Sequence, residues 1–371
     1  MSKTLQDYAT LINDTIQSNE INHYITTDNM CQNLGGIDTF KNINIPQGKV
    51  RSFQKDDVLL SNIRLYFRKV YRAKQKGGCS SDVLVFRAKH IDSATLFAIL
   101  SSQIFTDYAC SGSQGSKMPR GNKTHMMDFK IPTINFTIAK IFNSIQNKIE
   151  NNHKINELLH KILELLYEQY FVRFDFLDEN NKPYQTSGGK MKFSKELNRL
   201  IPNDFEVKTL GELTQLKVGN KNANHSSNQG KYPFFTCSNN PLRCETYQFE
   251  GKHIIISGNG NFYVTHYDGK FDAYQRTYVV NPNNPNHYVL IYLFVKSYTN
   301  YLKLQSRGSI IKFITKSDIE NIKIVLPNLK TYTKWNNVLK IIENNNQSTQ
   351  TLTALRDFLL PLLLKQQVKP Q

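Results

Sequence analysis

Cysteine is scarce and unpatterned in this chain. Five cysteines occur among 371 residues (Cys31, Cys79, Cys110, Cys237, Cys244), an odd number with no C-x-x-C spacing. Neither a disulfide framework nor a zinc site is expected, and the thiols read as reduced. Long apolar runs are missing as well. No stretch of 18 uncharged apolar residues occurs, so no membrane span is expected. No apolar run after a basic cluster follows Met1, so no signal peptide is expected and the cytoplasm is the expected compartment. Acidic residues are too few to balance the basic ones. The 47 Lys+Arg against 30 Asp+Glu leave a net charge of +17 and a pI near 9.5. Such an excess implies an acidic partner, for which nucleic acid is the usual candidate.

Catalytic constellations are equally absent from the sequence. There is no G-x-x-x-x-G-K-[ST] loop, no H-E-x-x-H helix and no G-x-S-x-G elbow. An amino-methyltransferase would need an Asn/Asp-Pro-Pro-aromatic loop to hold a flipped base. The nearest string, Asn281-Pro-Asn-Asn-Pro285, lacks adjacent prolines. Ser257-Gly-Asn-Gly-Asn261 runs from strand into strand, with no helix N-terminus to receive a phosphate. It reads as a tight turn or as a DNA-facing loop. The nine His are scattered, and none is expected to ligate a metal. The chain is therefore expected to be non-catalytic and to bind no cofactor.

What the chain does contain is a repetition of itself. Lys123-Thr-His-Met-Met-Asp-Phe-Lys-Ile-Pro132 echoes Lys316-Ser-Asp-Ile-Glu-Asn-Ile-Lys-Ile, with Pro327 closing the second copy late. Ile149-Glu-Asn-Asn152 matches Ile342-Glu-Asn-Asn345 at the same offset of 193 residues. Upstream, Asp57-Val-Leu-Leu-Ser61 parallels His253-Ile-Ile-Ile-Ser257 at an offset of 196. Three ordered matches at nearly constant spacing indicate a duplicated unit.

Each copy begins with a strand-rich part, in which short apolar runs such as Val83-Leu-Val-Phe86 and Thr277-Tyr-Val-Val280 are separated by Gly, Asn and Pro. Each copy then ends in a long helix. The apolar series Ile138, Ile141, Ile145, Ile155, Leu159, Ile162, Leu166 steps by threes and fours, as does Val338, Ile341, Leu352, Leu355, Leu359, Leu362. That heptad spacing predicts two helices that pack on each other, with Asn152 and Asn345 in the same a position. Their roughly 33 residues, about 50 Å, exceed a usual core helix, which is the plainer alternative. The expected pairing residues are Asn152, Leu159 and Leu166 on the first helix with Asn345, Leu352 and Leu359 on the second. Boundaries follow: 1–136 first globular part, 137–172 first helix, 173–199 a polar Gly-containing linker, 200–330 second globular part, 331–367 second helix.

The surplus charge sits in the globular parts. Residues 1–137 carry 17 basic and 11 acidic residues, residues 171–332 carry 21 and 13, and the first helix carries four of each. Basic, Gly/Ser-rich loops recur in both copies. In the first, the candidate DNA contacts are Ser61, Asn62, Arg64, Arg68, Lys69, Ser113, Gln114, Ser116, Lys117 and Arg120. In the second, they are Asn259, Asn261, Tyr274, Arg276, Arg307, Ser309 and Lys312. Arg can grip guanine and Asn or Gln adenine through paired hydrogen bonds, while Ser and Lys position phosphates.

Several segments resemble the specificity subunits of type I restriction-modification systems. They are Asn22-His-Tyr-Ile-Thr-Thr-Asp-Asn-Met30 through Gly36, Asp57-Val-Leu-Leu-Ser-Asn-Ile-Arg64 and Gly77-Gly-Cys-Ser-Ser-Asp-Val-Leu-Val-Phe86. Tyr170-Phe-Val-Arg-Phe-Asp-Phe176, Lys182-Pro-Tyr184, Ser187-Gly-Gly-Lys-Met191, Ile201-Pro-Asn-Asp-Phe205 and Leu210-Gly-Glu-Leu213 follow the same pattern. The first globular part departs from it, because it has no Ile-Pro-x-x-aromatic lead-in of its own. The resemblance implies an α+β fold: two mixed α/β target-recognition domains separated by two long antiparallel coiled-coil helices, a pseudo-twofold internal repeat. It implies double-stranded DNA as ligand, with a bipartite asymmetric target. It implies as partners two modification subunits, which carry S-adenosylmethionine, and restriction subunits, which hydrolyse ATP and cleave. This chain would supply the address alone. The other readings are a specificity subunit of another multisubunit restriction-modification system, or a non-catalytic coiled-coil nucleic-acid-binding scaffold.

Overall fold

The computed structural model of the chain describes residues 3–38, 43–131, 134–178, 180–227, 229–327 and 332–364. Pro132, Thr331 and residues 365–367 of the expected second helix lie outside the described residues. Contacts divide the chain into two units, Met1–Lys154 with Asn346–Gln371, and Ile155–Asn345. Each unit thus takes half of each long helix, where the sequence suggested separate helical domains.

The first unit is built on two four-stranded sheets. One runs in the order Ala9–Ile12, Val83–Ala88, Val58–Ser61, Val70–Arg72, antiparallel throughout. The central strand Val58–Ser61 is buried along its whole length, which is why it reads as a continuous apolar run. The other sheet orders Thr15–Gln17, Lys49–Phe53, Gly77–Cys79 and Tyr24–Ile25. Helices Ser93–Leu100 and Gln103–Ser111 cover the first sheet, and Leu96, Phe97, Leu100 and Phe105 fill the core beneath them. Asp57 is 2% exposed, with Arg87 meeting both of its oxygens at 2.8 Å and the Gln54 N–H donating to it at 2.8 Å.

The second unit repeats the plan with a larger sheet of six strands. Its order is Thr214–Val218, Thr277–Pro282, Phe249–Ser257, Val264–Ala273, Tyr232–Phe235, Leu242–Cys244. The first three strands correspond to Ala9–Ile12, Val83–Ala88 and Val58–Ser61: Ser61 pairs with Val83 as Ser257 pairs with Thr277. The lead-in helices correspond as well. Thr4 N donates to the Asp7 carboxylate at 2.7 Å and Thr209 N to that of Glu212 at 2.6 Å. Leu5 N then donates to Phe129 O and Leu210 N to Ile322 O. The first unit therefore has a lead-in, Thr4-Leu-Gln-Asp7, that lacks the Ile-Pro signature and escaped the sequence reading.

The segment 173–199, expected as a linker, is built into the second unit's core. Phe174 is 2% exposed, Phe176 stacks on Phe205 at 5.5 Å, and Met191–Ser194 pairs with Arg199–Pro202. Its aromatic residues decide this against its polar and glycine-rich average.

The long helices are Phe136–Tyr167, continued by a π-turn at Glu168–Val172, and Thr333–Leu363. They run antiparallel within each unit. In the first, Arg356 Nη1 meets Gln146 Oε1 at 3.2 Å and Asn152 Nδ2 meets Thr349 Oγ1 at 3.1 Å. In the second, Asn345 Nδ2 meets Asn156 Oδ1 at 2.9 Å while Tyr170 packs on Trp335. The buried line differs from the expected one. Phe142, Ile145, Gln146, Ile149, Asn152, Asn156, Leu163 and Tyr167 face inward, whereas Ile141, Ile155 and Ile162 are exposed. On the second helix Arg356, Leu360 and Leu363 are buried, Leu355 is exposed, and Leu352 and Leu359 are half-buried. Leu159 and Leu166 are also half-buried, against the second unit's core. Ile145 and Asn152 keep their expected inward place, but Ile141, Ile155 and Ile162 give way to Phe142, Asn156 and Leu163, each one residue on. A reading that counts apolar residues cannot see the polar Gln146, Asn156 and Arg356 on the line.

A direct test follows from the Asn345–Asn156 contact. Replacing Asn156 alone with Leu removes its bonds to the Asn345 amide and the Ile342 carbonyl and should lower stability by about 1–3 kcal/mol. Replacing both with Leu should recover that loss or exceed the wild type. Thermal unfolding of the two variants checks it; a double variant no more stable than the single one contradicts it.

Candidate nucleic-acid interface

At one end of each central strand, three loops are locked together by the same backbone bonds. In the first unit Asn62 N donates to Asp82 O at 2.8 Å, and Gly121 N donates to Asn62 O at 3.1 Å. In the second, Gly258 N donates to Arg276 O at 2.7 Å, and Ile314 N donates to Gly258 O at 3.0 Å. Ser61 Oγ and Ser257 Oγ each close the strand-end turn onto the carbonyl two residues ahead. The third loop is a tight hairpin. Gln114 and Arg120 exchange both backbone bonds in one unit, as Arg307 and Phe313 do in the other. Gly115 and Gly308 start these hairpins at φ of 98° and 100°, a conformation side chains resist.

The expected contact residues divide into two groups in the first unit. Gln114, Ser116, Lys117 and Arg120 are exposed on the hairpin. Arg120 is held by Asp82 at 3.0 Å, and Arg64 reaches the Lys117 carbonyl at 3.3 Å. Other residues serve the fold instead. Ser61 and Asn62 are buried, and Ser113 closes the preceding helix on Ala109 O. Arg68 turns inward to Ser101 O at 2.9 Å, and burial pulls its guanidinium below its usual pKa. Lys69 bonds to Thr27 O. Ser61, Ser113, Arg68 and Lys69 thus bond to the protein itself and Asn62 is buried, where the sequence expected exposed DNA contacts.

In the second unit Asn261, Arg276, Ser309 and Lys312 are exposed, and Tyr274 is half-buried. Asn261 Nδ2 rests on Tyr263 Oη at 3.1 Å. Arg307 is 62% exposed but holds Asp318 at 3.1 Å. The Asn259 side-chain oxygen is buried without a donor. The two ends differ in charge at one equivalent place: the carbonyl that receives the strand-end N–H belongs to Asp82 in one unit and to Arg276 in the other.

The sequence reading missed the hairpin tips. Met118 is 53% exposed in one unit, and Ile310 and Ile311 are 95% and 61% exposed in the other. Apolar tips flanked by Lys and Arg suit contact with thymine methyls or base faces. The signal was present as the matched spacing of Gly115 to Met118 and Gly308 to Ile311. It is legible only once the hairpins are seen to be equivalent. Among the described residues no helix is long and apolar enough to cross a membrane.

Comparison with known proteins agrees with this geometry. The type I restriction modification DNA specificity domain matches residues 202–355. The EcoDI specificity subunit of Escherichia coli is 37% identical over 132 residues, 34% of this chain and 28% of that one. The MjaIX specificity subunit of Methanocaldococcus jannaschii is 25% identical over 302 residues, 72% and 67% of the two chains. The matches thus span about a quarter of the first relative and two thirds of the second. The type I restriction-modification S subunit of M. genitalium has the same fold, with a TM-score of 0.61 at 16% identity over 99% of this chain and 96% of that one. Residues 202–355 thus match a type I restriction modification DNA specificity domain, and the chain is similar in sequence and fold to specificity subunits of type I restriction-modification systems.

Proposed function

We propose that the chain is the specificity subunit of a type I restriction-modification complex, each unit reading one half of a bipartite DNA target. The observation that carries this is the repeated strand end: one backbone scaffold, presented twice, with different side chains on it. Because Arg276 stands where the other unit has Asp82, the half-sites differ and the target is not a palindrome. The chain itself performs no chemistry. Modification subunits carrying S-adenosylmethionine methylate the site, and ATP-hydrolysing restriction subunits cleave. Ile155, Leu158, Ile162 and Leu165 form an apolar stripe, 42–63% exposed, on the first long helix. That stripe offers a modification subunit a surface to pack on.

Binding measurements test the readout. Arg276→Ala should cost about 1–3 kcal/mol on the specific duplex and much less on random duplex. Lys312→Ala should weaken both alike and flatten the salt dependence. Equal losses from both variants on both duplexes contradict the assignment of Arg276 as a base reader.

The helix pair sets the gap between half-sites. Its first helix has 32 residues, roughly 48 Å, more than one DNA turn of roughly 34–36 Å. Thr349 lies opposite Asn152, so positions 149 and 352 face each other at one level. Seven residues inserted after Ile149 and seven after Thr351 preserve the seam and lengthen it by about 10 Å. In a complex reconstituted with its modification subunits, the methylated half-sites should stay the same while the gap grows by about three base pairs at ~3.4 Å each. An unchanged gap contradicts the ruler.

A further inference from the structure

We propose that His225, Cys244 and Asp272 form a transition-metal site of the zinc class, which clips a surface loop of the second unit onto its sheet. The three come from separate elements of that unit: the turn Ala223–His225, the edge strand Leu242–Cys244 and the long strand Val264–Ala273. Their donor atoms, an imidazole nitrogen, a sulfur and a carboxylate oxygen, all lie within 4.8 Å of one another, with His225 Nε2 at 3.0 Å from Asp272 Oδ2. Bonds of about 2.0–2.3 Å at a tetrahedral angle set ligand atoms roughly 3.3–3.7 Å apart. The observed separations bracket that range.

Burial is the second, independent observation. Asp272 is 0% exposed, and its Oδ1 has no hydrogen-bond donor. A carboxylate is costly to bury with half of its acceptor capacity unmet. Cys244 is also 0% exposed, and its sulfur faces the carbonyls of Thr246 at 3.2 Å, Tyr232 at 3.6 Å and Pro233 at 3.7 Å, with one proton to share among them. A divalent ion bound by a thiolate, a carboxylate and a neutral imidazole makes a neutral site and supplies what Asp272 Oδ1 lacks. Mixed sulfur, nitrogen and oxygen ligation suits zinc rather than calcium or magnesium. The surroundings are prepared for it. Thr246 Oγ1 donates to Asp272 Oδ2 at 2.7 Å and orients that carboxylate. The His225 ring packs edge-on against Phe234 at 5.3 Å. The His225 side chain is 23% exposed, which gives an ion a way in and leaves the fourth position to water.

The site lies beneath the candidate reading turn. Asp272 is two residues from Tyr274, and Lys221, four residues before His225, bridges to Tyr274. An ion there holds the loop, the edge strand and that turn as one piece. The sequence spacing of the three ligands matches no zinc motif, and only the folded sheet brings them together.

Cobalt(II) titration of the full-length, chelator-treated protein tests the assignment. The wild type should take up one equivalent with tetrahedral absorption bands and a thiolate charge-transfer band, and zinc should displace it. Cys244→Ser should lose the thiolate band, while Cys237→Ser, at the other cysteine nearby in sequence, should keep it. His225→Gln sits at a partly exposed turn and is expected to fold. It should bind cobalt more than about tenfold more weakly. The proposal is overturned if the folded wild type shows no saturable one-equivalent binding. Persistence of the thiolate band in Cys244→Ser, or wild-type affinity in His225→Gln, overturns it equally.

Discussion

The structure depends on a pair of backbone hydrogen bonds at each central strand's end. One ties the strand end to a turn, through Asn62 N to Asp82 O or Gly258 N to Arg276 O. The other ties it to the hairpin, through Gly121 N to Asn62 O or Ile314 N to Gly258 O. None of these bonds depends on side-chain identity. The scaffold therefore stays constant while the residues it presents vary, which is what a protein that reads different sequences with one fold requires. Loops can specify only if they are held rigidly, because every side chain ordered on binding costs free energy.

The duplication was legible because a structural repeat forces sequence matches where cores and caps recur. Asp57 to Ser61 and His253 to Ser257 are the same central strand, and Asn122 and Thr315 cap the same short helix. The length of the two helices was legible for the same reason. The phase of their seam was not. Asn152 lies on it as its a position suggested, but so do Gln146, Asn156 and Arg356, which a pattern built from apolar residues treats as outward-facing. The first unit's lead-in was hidden because Thr4 and Asp7 make the same reciprocal cap as Thr209 and Glu212 with different flanking residues.

The candidate site was legible by loop and less so by residue. Lys117, Ser116, Arg276, Ser309 and Lys312 stand out on the surface as their charge or polarity suggested. Arg68, Asn62 and Ser61 do not: Arg68 turns inward to Ser101 O, Ser61 closes its own turn onto Ile63 O, and Asn62 is buried. Exposed apolar tips such as Ile310 invert the usual rule that isoleucine marks a core, and only the closed hairpin from Arg307 to Phe313 shows why it faces outward. Clusters such as His225, Cys244 and Asp272 are out of reach for any spacing argument, because a sheet brings together residues 19 and 28 positions apart.

The account's central claim is that one chain carries two separate readers of DNA. Base-resolution mapping of methylation in the host genome, with and without this gene, tests it most directly. The account predicts that the gene's presence adds one motif made of two different short half-sites with an unread gap between them. A contiguous or palindromic motif, or no difference between the two genomes, would contradict it.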